Sequence, residues 1–105
     1  MAWVYLMAAG ILETVWAAAL KQSDGFTRPW PAVVTAVAMA GSVYLLALAM
    51  KSLPLGTAYA VWTGIGAIGA AVLGMVLLGE SAAPLRIGSI LLILLGIAGL
   101  RLTAS

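Results

Sequence analysis

The first apolar segment of the chain is WVYLMAAGILETVWAAAL, residues 3–20, in which Glu13 is the single charged side chain. A helix of about 20 apolar residues crosses the hydrocarbon core of a bilayer, and this segment is close to that length. A carboxylate near its middle costs roughly 2.5–3.5 kcal/mol to insert, so it should face a bundle interior or a wet cavity. The segment therefore predicts a membrane helix that carries one functional ionisable group.

The composition of the whole chain supports a protein of the lipid bilayer. Of its 105 residues, 65% are hydrophobic and 8% are charged, whereas soluble domains carry roughly 25% charged residues. The absence of His and Cys excludes histidine acid–base chemistry, thiolate nucleophiles, disulfides and the usual soft-metal clusters. The cations stand singly, which argues against nucleic-acid binding. We expect no enzymatic activity, no cofactor and no metal site.

Polar and proline-containing stretches divide the chain into further apolar spans. We expect four transmembrane helices, over residues 3–21, 30–50, 55–79 and 84–103, in a single membrane domain of residues 1–105. Long runs without alternation are not barrel strands, and helices satisfy the backbone in lipid. No Lys or Arg precedes Lys21, so we interpret the N-terminus as mature protein and not as a signal peptide. The predicted fold class is an all-α integral membrane bundle.

The charges at the span ends specify the orientation of this bundle only weakly. With four spans, Lys51 and Arg101 share one side of the membrane, while Lys21, Arg28 and Arg86 share the other. Because orientation follows the Lys/Arg bias, two against three gives almost no direction. Two interpretations stay open. Either a small protein simply has few charges, or both orientations insert and an antiparallel dimer forms.

Glu13 has neighbours suited to binding a cation. Helical spacing places Gly10, Trp16 and Ala17 on its face of the first span. A carboxyl group can hold a proton or, once ionised, a cation, but not both at once, which is the minimum requirement for exchanging the two. The indole of Trp16 can donate a hydrogen bond to the carboxylate or offer its π face to the cation. The structural alternative is a protonated Glu13 in one interhelical hydrogen bond.

The second and third spans offer the polar and aromatic groups that can meet this carboxylate. Tyr59, Trp62 and Gly66 follow one face of the third span, and Ser42 is the deepest hydroxyl of the second. Such a stripe is more often packing than site when taken alone. Here it is the only other polar–aromatic face available, so we expect it to line the site. The glycine-dense region that includes Gly64 permits close packing or bending.

One protomer with one ionisable centre has too little interior for a gated pathway open to two sides. A symmetric dimer would bring two copies of Glu13 together, in the manner of transporters built from repeats. The fourth span has small residues at Gly88, Gly96 and Gly99, a pattern typical of a helix–helix seam.

Two stretches of the chain resemble the small multidrug resistance family. They are ETVWAAALK at 13–21, followed by GFTR at 25–28, and LPLGTAYAVWTGIG at 53–66. The resemblance extends over essentially the whole chain. It implies a proton-coupled exporter of a bacterial-type inner (plasma) membrane, built as an antiparallel, dual-topology homodimer, in which the membrane glutamate is shared between proton and substrate.

Within that family, Trp16 placed three residues after the glutamate resembles the guanidinium exporter branch, and Lys51 fits the same branch. The resemblance implies that Glu13 binds either a proton or guanidinium, and that Trp16 and Ser42 orient its carboxylate. The implied substrate site is lined by Gly10, Trp16, Ser42, Tyr59 and Trp62, and the implied helix bend lies at Gly64 and Gly66.

The chemistry of guanidinium agrees with this assignment, because the ion is planar and offers forked N–H donors to a carboxylate edge. Members of the branch can also pass substituted guanidiniums and some quaternary ammoniums, which lack N–H donors and rely on aromatic walls. The alternatives are broad-specificity quaternary ammonium efflux, service as one half of a heterodimeric pair, and a non-transporting regulatory subunit in which Glu13 is structural.

Overall fold

The computed structural model describes residues 1–103, which form four helices and no strand. The helices are α1 (Ala2–Gln22), α2 (Pro29–Met50), α3 (Leu55–Leu77) and α4 (Pro84–Thr103). Each is long and apolar enough to cross a membrane, so the predicted class of an all-α membrane protein is confirmed. The last two residues of the predicted 1–105 domain lie outside the described residues.

A tight loop reverses the chain between α1 and α2. The buried hydroxyl of Ser23 donates to the carbonyl oxygen of Leu20 (2.7 Å) and accepts from the N–H of Phe26 (3.1 Å), which ends the first helix. Asp24, Gly25 and Phe26 then all adopt positive φ, at 47°, 70° and 67°. Since only glycine takes this region without a steric cost, hydrogen bonding around Ser23 holds the two flanking side-chain-bearing residues there. The reversal makes α1 and α2 antiparallel neighbours.

The helix α3 ends at Leu77, two residues before the predicted end at 79. Gly79 adopts a φ of +69°, the left-handed conformation with which glycine commonly terminates a helix. The N–H of Glu80 consequently turns back to the carbonyl oxygen of Gly74, at 3.0 Å. The glycine that sequence analysis placed inside the helix therefore ends it.

The core of the protomer lies among the first three helices. α1 packs against both α2 and α3, and α4 lies beside α3. The buried apolar residues of this core are Leu6, Ala9, Leu46, Ala49, Ala58, Val61 and Trp62. None of the residues that the structure describes in α4 is buried, so this helix presents apolar side chains outward along its whole length.

Glycines set how closely α1 and α3 approach each other. A Cβ added to Gly10 on α1 would stand 2.6 Å from Cβ of Ile65, and one added to Gly69 on α3 would stand 2.8 Å from Cγ2 of Thr14. Real Cβ atoms do not tolerate such distances, because interiors are already close-packed. The seam between the two helices therefore requires glycine on both sides.

We predict that Gly69→Ala lowers the stability of the protein by about 1–3 kcal/mol, the usual cost of overpacking a filled interior. The added methyl group must displace Thr14 or separate α1 from α3. The measurement is the midpoint of thermal unfolding in detergent, followed by loss of the monodisperse peak in size-exclusion chromatography.

Gly56→Ala is the matched control, because Gly56 is on the same helix and a Cβ there meets nothing within 4 Å. It should unfold at or slightly above the wild-type midpoint, since alanine is the better helix former. Equal midpoints for the two variants would show that the seam tolerates a wider separation.

Candidate functional site

Glu13 projects from the middle of α1 towards α3, where its carboxyl group lies against Gly66. A Cβ added to Gly66 would stand 2.7 Å from Cγ of Glu13 and would overlap Oε1. The glycine therefore makes the space that the carboxyl group occupies. Oε1 of Glu13 is buried and has no hydrogen-bond partner in the described chain. Because buried polar atoms are nearly always paired, this oxygen is available to a proton or to a ligand that brings its own donors.

Trp16 carries a second unpaired polar atom on the same helix. Its Nε1 is buried and has no hydrogen-bond partner among the described residues, and its ring packs at the edge of the core. No hydrogen bond joins Trp16 to Glu13 within the described protomer, although one helical turn separates them. The role of Trp16 in orienting the carboxylate stays a prediction.

Ser42 joins three helices through one buried hydroxyl. Its Oγ donates to the carbonyl oxygen of Ala9 on α1 at 2.6 Å, and it accepts from Nε1 of Trp62 on α3 at 2.9 Å. A serine hydroxyl has a single proton, and here that proton bonds the backbone of α1 one turn before Glu13. In this protomer the hydrogen bonds of Ser42 therefore hold α3 and the helix that carries Glu13 together, and the role of Ser42 in orienting the carboxylate stays a prediction.

Tyr59 and Trp62 share a face of α3, as their spacing predicted. Their ring centroids lie 5.3 Å apart with the planes inclined by 55°, an arrangement typical of favourable aromatic pairs. Trp62 is buried, whereas 53% of Tyr59 is exposed. The N–H of the tryptophan is bonded to Ser42, so the ring has no free hydrogen-bond donor.

The two glycines predicted at a bend face different neighbours. Gly66 accommodates Glu13, whereas a Cβ added to Gly64 would stand 2.9 Å from Cδ1 of Ile97 on α4. The helix α3 is continuous through both positions, and the bend at Gly64 and Gly66 stays a prediction. Gly10 faces Ile65 in this protomer, and its predicted place in the lining of the substrate site stays a prediction.

Sequence analysis missed two participants in this region, the carbonyl oxygen of Ala9 and the side chain of Thr14. The first is a main-chain atom, and residue type carries no signal for it. The second donates to the carbonyl oxygen of Gly10 at 3.2 Å and fills the notch at Gly69. The sequence signal for this contact was the placement of the Thr14 hydroxyl four residues after Gly10, one helical turn away. Within residues 1–103, no group of three or more His, Cys, Asp or Glu residues is placed to hold a metal ion.

Comparison with known proteins identifies the relatives of this chain. The family model described as "Small Multidrug Resistance protein" matches residues 1–93. A guanidinium exporter of Yersinia pseudotuberculosis is 64% identical over 104 residues, which are 99% of this chain and 100% of that protein. A guanidinium exporter of Escherichia coli K12 is 62% identical over 98% of both chains. One of Salmonella typhimurium is 57% identical over 99% of both.

We predict that Ser42→Ala destabilises the fold by about 1–3 kcal/mol, because it leaves the buried N–H of Trp62 without its acceptor. The measurement is the thermal unfolding midpoint in detergent. Ser89→Ala is the control, since the exposed hydroxyl of Ser89 donates only to Leu85 of its own helix, at 2.8 Å. An unfolding midpoint for Ser42→Ala equal to that of the control would show that the three-helix hydrogen bond adds no stability.

Proposed function

The chain belongs to the Small Multidrug Resistance family, and from that membership we propose that it exports guanidinium in exchange for protons. The observation that carries the proposal is its identity of 57–64%, over nearly its whole length, with relatives named guanidinium exporters. The chain is a multi-pass protein of the bacterial inner membrane. We propose transport as its activity, with no chemical conversion of the substrate.

Glu13 is the binding group in this proposal. When ionised, its carboxylate accepts paired hydrogen bonds from the planar guanidinium fork, which are stronger than bonds between neutral groups. When protonated, it loses the charge that holds the cation. The two ligands therefore exclude each other at one site, and this exclusion makes uptake of one depend on release of the other. The unpaired, buried Oε1 supports this role.

The aromatic side chains near the site supply the second half of recognition. Tyr59 is exposed on α3, whereas Trp62 is buried beside it and its N–H bonds Ser42. Aromatic faces attract cations of any kind, so they add affinity without distinguishing guanidinium from a quaternary ammonium. The carboxylate makes that distinction, because only the guanidinium brings N–H donors to it.

We predict that the purified protein in proteoliposomes moves guanidinium down its gradient while protons move in the opposite direction. Glu13→Gln should reduce this flux to the level of vesicles without protein, since the amide neither binds a proton nor carries a charge. Glu13→Asp, which keeps the carboxylate on a shorter side chain, should retain proton-coupled flux at a lower rate.

Two outcomes would count against this assignment. Guanidinium flux that persists in Glu13→Gln would contradict the shared-site mechanism. Faster proton-coupled flux of a quaternary ammonium than of guanidinium would favour the broad-specificity efflux function instead.

We further propose that the working unit is an antiparallel homodimer. One protomer contributes a single membrane carboxylate, and its α4 has no buried residue among those described. A second copy of the same chain would cover this apolar helix and supply the second carboxylate. The nearly even distribution of Lys and Arg supports insertion in both directions, since neither side of the membrane is favoured.

Insertion in both directions gives a direct prediction for a protein that has no native cysteine. In Ser52→Cys, whose thiol lies in the exposed loop between α2 and α3, an impermeant reagent applied to intact cells should label about half of the copies, the even split that a balanced charge distribution favours. Disrupting the membrane should then expose the other half.

The control adds an arginine on one side of the membrane, for example at Gln22, which should shift the labelled fraction away from an even split. Labelling of all copies, or of none, in the Ser52→Cys protein with native charges would indicate a fixed orientation. That result would favour one half of a heterodimeric pair.

A further inference from the structure

A cleft between α1 and α3 lies on the same helix seam as Glu13, nearer the loop that joins α3 to α4. It has a volume of about 150 Å³ and is lined by Ala17, Ala18, Lys21, Ala70, Leu73, Gly74, Leu78 and Glu80. Gly74 is two helical turns beyond Gly66, which contacts Glu13, so the mouth of the cleft is about 12 Å from that contact along α3. Gly69 and Ala70 lie between them on α3. Lys21 and Glu80, which carry opposite charges, both line the cleft at this end of the seam.

The backbone of α3 is shaped to hold the Glu80 carboxylate at this mouth. The carboxyl group folds back over Gly74, where an added Cβ would stand 2.6 Å from Cδ and 2.9 Å from Oε2. The N–H of Glu80 also bonds the carbonyl oxygen of Gly74, at 3.0 Å. Both contacts depend on the left-handed turn at Gly79. The backbone conformation at the end of α3 thus sets the position of the Glu80 carboxylate.

The ion pair that Glu80 makes is only half formed. Within the described residues the one ion pair joins Oε1 of Glu80 to Nη2 of Arg86, at 2.8 Å. The Nε of Arg86 is buried and has no hydrogen-bond partner in that part of the chain, so the paired, two-bond geometry that arginine can make with a carboxylate is not used. Oε2 of Glu80 makes no ion pair within 4.0 Å among the described residues, and Lys21 lines the same cleft from α1.

Binding of a second cation by Glu80 requires little rearrangement. The side chains of Arg86 and Glu80 are 39% and 42% exposed, and pairs with that much exposure contribute little to stability. Lys21 makes no ion pair within 4.0 Å in the described structure. A carboxylate that has one oxygen on Arg86 and a second without an ion pair can also bind Lys21 when the cleft narrows.

We propose that Glu80 is a latch on the transport cycle: with Oε1 kept on Arg86 of α4, it binds Lys21 of α1 through Oε2 to close the α1/α3 cleft, and releases Lys21 to open it. The inference rests on the proposed exchange function, because an exporter must open and close its ends in turn. Glu80 does not touch the substrate in this scheme. It is a positioning residue that couples α1, α3 and α4 at one end of the protomer.

The first test measures guanidinium exchange by Glu80→Gln, Lys21→Gln and the double variant. Each single variant should reduce the maximal exchange rate about fivefold, the size of effect that an exposed ion pair supports. The double variant should be no slower than either single one, because both remove the same contact. Equilibrium guanidinium affinity should not change, since Glu13 is intact.

Asp24→Asn is the matched control, because it makes the same acid-to-amide change in the neighbouring loop but does not line the cleft. Its rate should equal that of the wild type. Additive losses in the double variant, or a loss of affinity equal to the loss of rate, would overturn the latch and leave Glu80 with a purely structural role.

The second test follows the cleft without relying on transport. Ala70→Cys places the only thiol of the chain on the α3 wall of the cleft, and its rate of modification by a small cationic thiol reagent reports access to the cleft. Adding Glu80→Gln or Lys21→Gln should raise that rate several-fold, whereas adding Asp24→Asn should not. Equal modification rates in all backgrounds would overturn the latch.

The two tests separate failure of the latch from failure of the proposed function. If the wild-type protein shows no guanidinium exchange, the proposed function fails while thiol modification still reports whether Glu80 closes the cleft. If the wild type exchanges guanidinium and Glu80→Gln matches it in both assays, the latch alone is wrong.

Discussion

The close approach of α1 and α3 is the constraint on which the site depends. At three places along this seam, a side chain of one helix fills the space left by a glycine of the other: Ile65 against Gly10, Glu13 against Gly66 and Thr14 against Gly69. A methyl group at any of these glycines would push the helices apart. The separation of the helices therefore determines whether the carboxyl group is enclosed by protein or open to lipid.

The hydrogen bonds around the seam explain why that carboxyl group is left free. Ser42 and Trp62 each have one side-chain donor, and neither donates to Glu13. The O–H of Ser42 donates to the carbonyl oxygen of Ala9, and the N–H of Trp62 donates to the hydroxyl oxygen of Ser42. This arrangement stabilises the three-helix core without neutralising Glu13. A transporter needs both properties at once, because a carboxylate bound permanently by its own protein cannot alternate between a proton and a cation.

The helices and the main acid could be predicted from sequence because both have strong, local signals. Apolar runs of spanning length bounded by charges indicated four helices, and one charge inside such a run indicated Glu13. The pairing of side chains could not be predicted, because spacing says which residues share a face but not which of them bond each other. Ser42 is an example, since it bonds the backbone of α1 and the indole of Trp62, and its expected role in orienting the carboxylate stays a prediction. The end of α3 was placed late because hydropathy continues to residue 79, while the left-handed turn at Gly79 is a matter of backbone conformation.

Two buried polar groups on α1 have no hydrogen-bond partner within the described protomer. Oε1 of Glu13 is an acceptor and Nε1 of Trp16 is a donor, both buried and both without a partner among the described residues. A buried polar atom without a partner costs roughly 1–3 kcal/mol, so two of them destabilise the isolated protomer. In the homodimer that we propose, a second copy would bring the same two groups to the assembly. Under the proposed exchange function, Oε1 of Glu13 is the atom that a proton, or a cation that carries its own donors, would pair with.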